Sequence, residues 1–216
     1  MKGIDPVALS LMLGLLSIIP LFVVTMTSFL KISVVLSLVR NAIGVQQSPP
    51  NIVIYAMALL LTVYIMAPVG SSMVKEMGDI PNGESSVESM VAKFRKGAEP
   101  LRGFLVRNSK VEQRDFFAGQ ARHIWPPDMT ANLKESDFLV VAPAFVVSEL
   151  TSAFEIGFLL CMPFIVIDLV VSNILMAMGM MMVSPVTISL PLKLFLFVMI
   201  DGWSRLMHGL VLTYSV

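Results

Sequence analysis

Apolar residues fall in four long blocks along this chain, at about residues 7–39, 51–73, 138–182 and 185–211, and one polar stretch separates the second from the third. A helix needs about 20 apolar residues to span a hydrocarbon core about 30 Å thick. The first block, drawn as one helix, would be ~50 Å long at ~1.5 Å per residue. The third is longer still and carries Pro143 and Pro163. Both overshoot a simple span. They predict kinked helices packed in a large protein assembly rather than four helices surrounded by lipid.

The joints between blocks carry a second signal. Gly44-Val45-Gln46-Gln47-Ser48-Pro49-Pro50 joins the first two, and Gly179-Met180-Met181-Met182-Val183-Ser184-Pro185 joins the last two. Glycine suits the left-handed position that ends a helix. Serine suits the N-cap, and proline the first helical position. Both joints therefore predict tips of helical hairpins, with Ser48-Pro49 and Ser184-Pro185 opening the returning helices.

The polar stretch is helical as well. Ser85 and Glu88 fit a capping box, and Val87, Met90, Val91 and Phe94 follow at helical spacing. Pro100 should interrupt this helix, after which Leu101, Phe104 and Leu105 resume the pattern, and Trp125-Pro126-Pro127 should end it. The expected fold is all-α, with integral-membrane-type helical hairpins and a small helical extramembrane insert. Its divisions are 1–74 for the first hairpin, 75–137 for the insert and 138–216 for the second hairpin. With two apolar blocks on each side, the insert should share a side of the membrane with both termini.

Composition sharpens this picture. The chain has 216 residues, of which 56% are apolar and 14% charged, against about 25% charged in a typical soluble domain. Residues 75–137 hold ten of the fifteen basic and ten of the fifteen acidic residues. Net charge is zero, so no basic face for nucleic acid is indicated. Lys2 precedes the first apolar block as in a signal peptide, but that block far exceeds an h-region of roughly 7–15 residues and reads as a retained segment. Cys161 is the only cysteine, so no internal disulfide and no zinc pattern is available.

The second joint is unusual in being apolar. Five of the seven residues from 176 to 182 are methionine, whereas turn residues are usually polar. An apolar tip has to be covered. Burial against a neighbouring helix is the commoner fate of apolar residues. Alternatively, unbranched thioethers from several copies, meeting at an axis, would make a compliant gasket that excludes water and ions. Copper(I) binding is a third reading, since Met176, Met178 and Met180 alternate. Alternation on a helix scatters side chains around the axis, however, and no accompanying ligands support it.

Eight charges lie in or at the edges of the apolar blocks: Lys31, Arg40, Lys193 and Arg205 against Glu149, Glu155, Asp168 and Asp201. Lone charges in lipid cost several kcal/mol, so such residues pair or face water. Interhelical ion pairs are the simplest account, with Glu149 and Lys193 as the first choice because each sits well inside its block. Lys31, Asp168, Asp201 and Arg205 are the other charges expected to be buried. A proton relay is the sharper alternative, and His208 is the only histidine within these blocks. Asp168, following Pro163, is also where a multi-pass transporter of a small solute or ion would place a binding group. HExxH, GxSxG, Walker and GxGxxG motifs are absent from the sequence, and His123 lies in the insert with no evident partner. No enzyme, cofactor or metal site is indicated.

The run FEIGFLLCMPFIVIDLVVSNILMAMGMMMVSPVTISLPLKLFLFVMIDGW (154–203) resembles the C-terminal half of the R-class export apparatus proteins of bacterial type III secretion, known as SctR in injectisomes and FliP in flagella. TSFLKISVVLSLVRNAIGVQQSPPNIV (27–53) and SELTSAFEIGF (148–158) resemble matching segments of the same family. The likeness covers nearly the whole chain outside the insert. It implies a structural, non-enzymatic subunit of a helical export gate. Several copies would assemble with S-class and T-class proteins, and with the U-class protein as a further partner, to pass unfolded secreted proteins. It also implies a pore gate at Met180, Met181 and Met182, on a turn made by Gly179, Ser184 and Pro185. Glu149 and Lys193 would form an ion pair between neighbouring copies. The location implied is the bacterial inner membrane, multi-pass, with the insert facing the periplasm. The tip GVQQSPP, the seal VSP where flagellar members often read VPP, and a start directly at the first apolar block favour the injectisome branch.

Overall fold

A computed structural model describes residues 14, 17–18, 20–45, 48–78, 93, 95–180 and 182–214. Every regular element among the described residues is a helix. They are α1 (Pro20–Met26), α2 (Phe29–Ile43), α3 (Asn51–Gly78), α4 (Glu99–Arg107), α5 (Val111–Ile124), α6 (Pro127–Thr130), α7 (Phe138–Ala177), α8 (Pro185–Met199) and α9 (Gly202–Leu212). The capping box at Ser85 and Glu88 and the apolar stripe from Val87 to Phe94 lie outside the described residues, as do Gln46, Gln47 and Met181.

The first block does not run as one rod. It bends by 79° between α1 and α2. Thr27 Oγ1 bonds back to the Val23 carbonyl and also accepts the Phe29 N–H at 3.3 Å, so a side chain replaces the helix ladder at the bend. Beyond it, Ile32, Val35, Leu36, Val39 and Ile43 form a buried stripe at helical spacing. Gly44 then ends α2 with φ of +85°, a conformation only glycine adopts freely. Arg40 in the last turn donates to the Pro49 carbonyl at 3.2 Å and to Asn51, closing the first hairpin.

The start of α3 corrects one expectation. Ser48 and Pro49 do not cap it. The helix opens at Asn51, and the Pro50 carbonyl accepts the N–H groups of Val53 and Ile54. Pro50 therefore takes the place of the cap, because Arg40 holds the preceding Pro49 carbonyl away from the helix.

The third block was expected to kink, yet α7 is one helix of 40 residues, about 60 Å long. Pro143 and Pro163 each remove one hydrogen bond to the residue four positions back. Those residues are Leu139 and Leu159, both on the exposed side of α7. The fourth block, by contrast, bends by 61° between α8 and α9, which its composition does not announce. Asp201 sits at the break with φ of +53°, a position Asp tolerates better than most residues. A Cβ on the adjoining Gly202 would lie 2.4 Å from the Phe197 ring, so glycine lets α9 fold back over that ring.

The insert shares the same core. The expected interruption is present: helical residues at 95–97 end in a turn at Ala98, and Pro100 lies in the first turn of the next helix, α4, where its missing N–H costs nothing. Leu101, Phe104 and Leu105 bury themselves against α3 and α7. The Phe104 ring lies 5.9 Å from Phe145 and stacks 6.1 Å from Tyr214. α5 follows α7, and Trp125 ends it as expected. The Lys110 N–H bonds Ser148 Oγ at 2.9 Å and its ammonium bonds Glu155 at 3.1 Å. The polar insert therefore sheathes the first half of α7. α3 runs on to Gly78, past the boundary at 74 read from the sequence.

Candidate functional site

The second hairpin tip is built by local hydrogen bonds. α7 ends at Ala177, Met178 caps it, and Gly179 turns left-handed with φ of +74°. The Gly179 N–H bonds the Met176 carbonyl and the Met180 N–H bonds the Leu175 carbonyl, both at 3.0 Å. These two crossed bonds make a Schellman turn, which satisfies carbonyls that a helix end leaves open. Ser184 stands at the N-cap of α8 with extended backbone, and Pro185 takes the first helical position. The Ser184 side chain makes no capping bond.

This turn holds its methionines outward. Met182 is fully exposed and Met180 is 42% exposed, and Met176 and Met178 are exposed beside them. Met181 lies outside the described residues. Within one chain, then, the tip is not buried against a neighbouring helix. The His, Cys, Asp and Glu side chains among the described residues form no metal-binding group.

The charges of the apolar blocks form two clusters. In the first, Lys31 of α2 meets Glu149 of α7 at 3.0 Å, with side chains 5% and 2% exposed. The Lys31 ammonium also lies 3.9 Å above the Tyr214 ring. The Tyr214 hydroxyl donates to Glu149 and sits 3.2 Å from the Ser28 carbonyl. In the second, Lys193 of α8 meets Asp168 of α7 at 2.6 Å and donates to the Ala42 carbonyl, near the end of α2, at 3.2 Å. A cation there also complements the negative end of the α2 dipole. Ser189 donates to the other Asp168 oxygen at 2.6 Å.

The structure therefore does not bring Glu149 and Lys193 together within the chain, since each has a different partner. Of the other charges expected to be buried, Lys31 is buried and Asp168 half-buried. Asp201 and Arg205 are exposed, because the break in the fourth block turns the start of α9 outward. Tyr214 was missed altogether. Its only signal was a phenol beyond the last apolar block, and nothing local tells which ion pair it will reach.

α3 and α7 are each long and apolar enough to cross a membrane, and so is each bent pair, α1 with α2 and α8 with α9, taken as one broken span. Much of α7 and α8 presents exposed large apolar side chains. Residues 12–210 match the FliP family.

The chain belongs to the FliP family.

Among its relatives, Yop proteins translocation protein R of Yersinia pestis is 50% identical, over 98% of this chain and 97% of that protein. Harpin secretion protein HrcR of Erwinia amylovora is 46% identical over 97% of each chain. Virulence protein YscR of Salmonella typhimurium is 45% identical over 98% of each chain. By name these are translocation, secretion and virulence proteins, the injectisome side of the family expected from the tip and seal residues. Membership and apolar helices together make this FliP-family chain an inner-membrane protein.

Proposed function

We propose that this chain is a structural subunit of a type III secretion export gate, and that its methionine tip seals the pore. The observation that carries the reading is the tip itself: an apolar hairpin turn, fixed by a Schellman motif, that leaves Met182 fully exposed. Exposed apolar surface of this kind is covered in the working state by another chain or by lipid. Several copies, joined by S-class and T-class partners and by the U-class protein, would cover much of the bare faces of α7 and α8 and gather the tips at one axis. Thioether chains would close that axis to ions and yield to an unfolded protein passing through. The insert would face the periplasm. The work is structural, with no reaction carried out by the chain.

Glu149 and Lys193 enter this reading in a modified form. Each already has a partner in its own chain, so a contact between copies would extend the two clusters rather than neutralise lone charges. The transporter alternative loses its main support, because Asp168 is engaged by Lys193 and Ser189.

The test is to replace Met180, Met181 and Met182 with alanine, express the chain with its partners and record ion leakage across the inner membrane. Raised leakage from an assembled complex is the expected result. An assembled complex that stays tight would leave the seal elsewhere and overturn the assignment.

A further inference from the structure

The 61° bend of the fourth block opens a cleft of about 540 Å³ between α7, α8 and α9. Its lining includes Leu159, Pro163 and Phe164 of α7, Phe197 of α8, and Leu206 and Gly209 of α9. Arg205 and Thr213 are the only lining residues with polar side chains. Arg205 is exposed, and among the described residues its guanidinium has no hydrogen bond or ion pair.

The height of the cleft on α7 is informative. The insert grips α7 as far as Glu155. The stretch from Ile156 to Ala177 that follows is about 33 Å long at 1.5 Å per residue, close to one hydrocarbon thickness of about 30 Å. The α7 residues of the cleft, Ile156 to Phe164, occupy the insert-proximal end of that stretch. Exposed Asp201, at the N-cap of α9, and exposed Arg205 and His208 on that helix lie beside it. Apolar walls with a cation at the rim, at the level where polar surface gives way to bare apolar helix, match the boundary between headgroups and acyl chains.

We propose that this cleft binds an acyl chain of an anionic phospholipid, whose phosphate is held by Arg205. Within the apolar blocks a second copy of this chain offers little to pair the cation. Glu149, Glu155 and Asp168 are already engaged by Lys31, Lys110 and Lys193, which leaves Asp201 as the one free carboxylate of the apolar blocks. A phosphate supplies the missing anion without unmaking any of those pairs.

The complex of this chain with its partners is purified from membranes in mild detergent, and its retained lipid is released and identified by native mass spectrometry. Wild type is compared with Gly209→Phe and Arg205→Gln. A Cβ at Gly209 meets nothing within 4 Å, so the new ring has room to enter the cleft. Wild type should carry a phospholipid with an anionic headgroup. Gly209→Phe should lose most of it. Arg205→Gln should keep the lipid but lose preference for anionic over zwitterionic headgroups by about fivefold, the effect of a single interfacial cation. If Gly209→Phe fails to assemble, Gly209→Leu fills less of the same space. Wild type without retained lipid, or equal retention in the cleft-filling variant, overturns the proposal. So does a photo-crosslinker at Leu159 that captures a second copy or a partner subunit instead of lipid, which makes the cleft a protein interface.

Discussion

Lys31 and Glu149 offer a sharp test of what holds this molecule together. Their side chains are 5% and 2% exposed at 3.0 Å, whereas Lys110 and Glu155 meet at 3.1 Å with side chains 38% and 60% exposed. The distances are nearly equal, so burial is the main difference between them. Removing one member of a buried pair leaves an uncompensated charge and costs about 3–5 kcal/mol. Removing one member of an exposed pair costs about 0–1 kcal/mol. Lys31→Met should thus destabilise the chain by about 3–5 kcal/mol, with the Tyr214 hydroxyl left, among the described residues, as the one side-chain bond to the Glu149 carboxylate. The double variant Lys31→Met with Glu149→Leu should recover most of that loss, since an apolar pair of similar volume often replaces a buried ion pair at no net cost. Thermal unfolding of the detergent-purified chain, followed by fluorescence of Trp125 and Trp203, reads both against Lys110→Met. If Lys31→Met costs no more than Lys110→Met, or the double variant is as unstable as the single one, the account of a buried pair locking α2 to α7 is wrong.

The other expectations concern the phenol, two glycines and the contact between copies. Tyr214→Phe keeps the ring under the Lys31 ammonium but removes the bond to Glu149, and should cost about 1.5–3 kcal/mol in the same unfolding assay. Gly179→Ala should cost about 1–2 kcal/mol through its backbone alone, because φ is +74° while the space around it is open. At Gly157 the sign of the problem is reversed: an added Cβ would lie 2.3 Å from Leu38 Cδ1 and 3.3 Å from Leu38 Cβ. Gly157→Ala should therefore cost about 1–3 kcal/mol by forcing α2 and α7 apart, read as a lowered melting point. For the proposed contact between copies, charge reversal at Glu149 and at Lys193 should each reduce the number of copies in the purified complex, and the double reversal should restore part of it. A double reversal no better than the sum of the singles would remove that contact.

Much of the architecture was legible because it rests on local physics. Long apolar blocks need cover whatever surrounds them, so four blocks and an all-helical, membrane-type chain follow from hydropathy alone. Gly44 and Gly179 mark helix ends because positive φ is a property of the residue, not of its neighbours. Ser184 and Pro185 open α8 for the same reason. The apolar character of the methionine tip is likewise written in the chain, and its outward placement follows once the turn is closed by bonds among residues 175–180.

Partner choice among the buried charges was not legible. Four cations and four carboxylates spread over the blocks allow many pairings, and hydropathy ranks none above another. Lys31 and Glu149 are 118 residues apart and Lys193 and Asp168 are 25 apart. Only the packing of α2 against α7, and of α8 against both, decides who reaches whom. The same holds for the unbroken run of α7 through two prolines, the sharp turn at Asp201, and the cleft that turn opens. Each depends on which side of a helix its neighbours occupy, a quantity set by contacts between segments far apart in the chain and therefore by the tertiary structure alone.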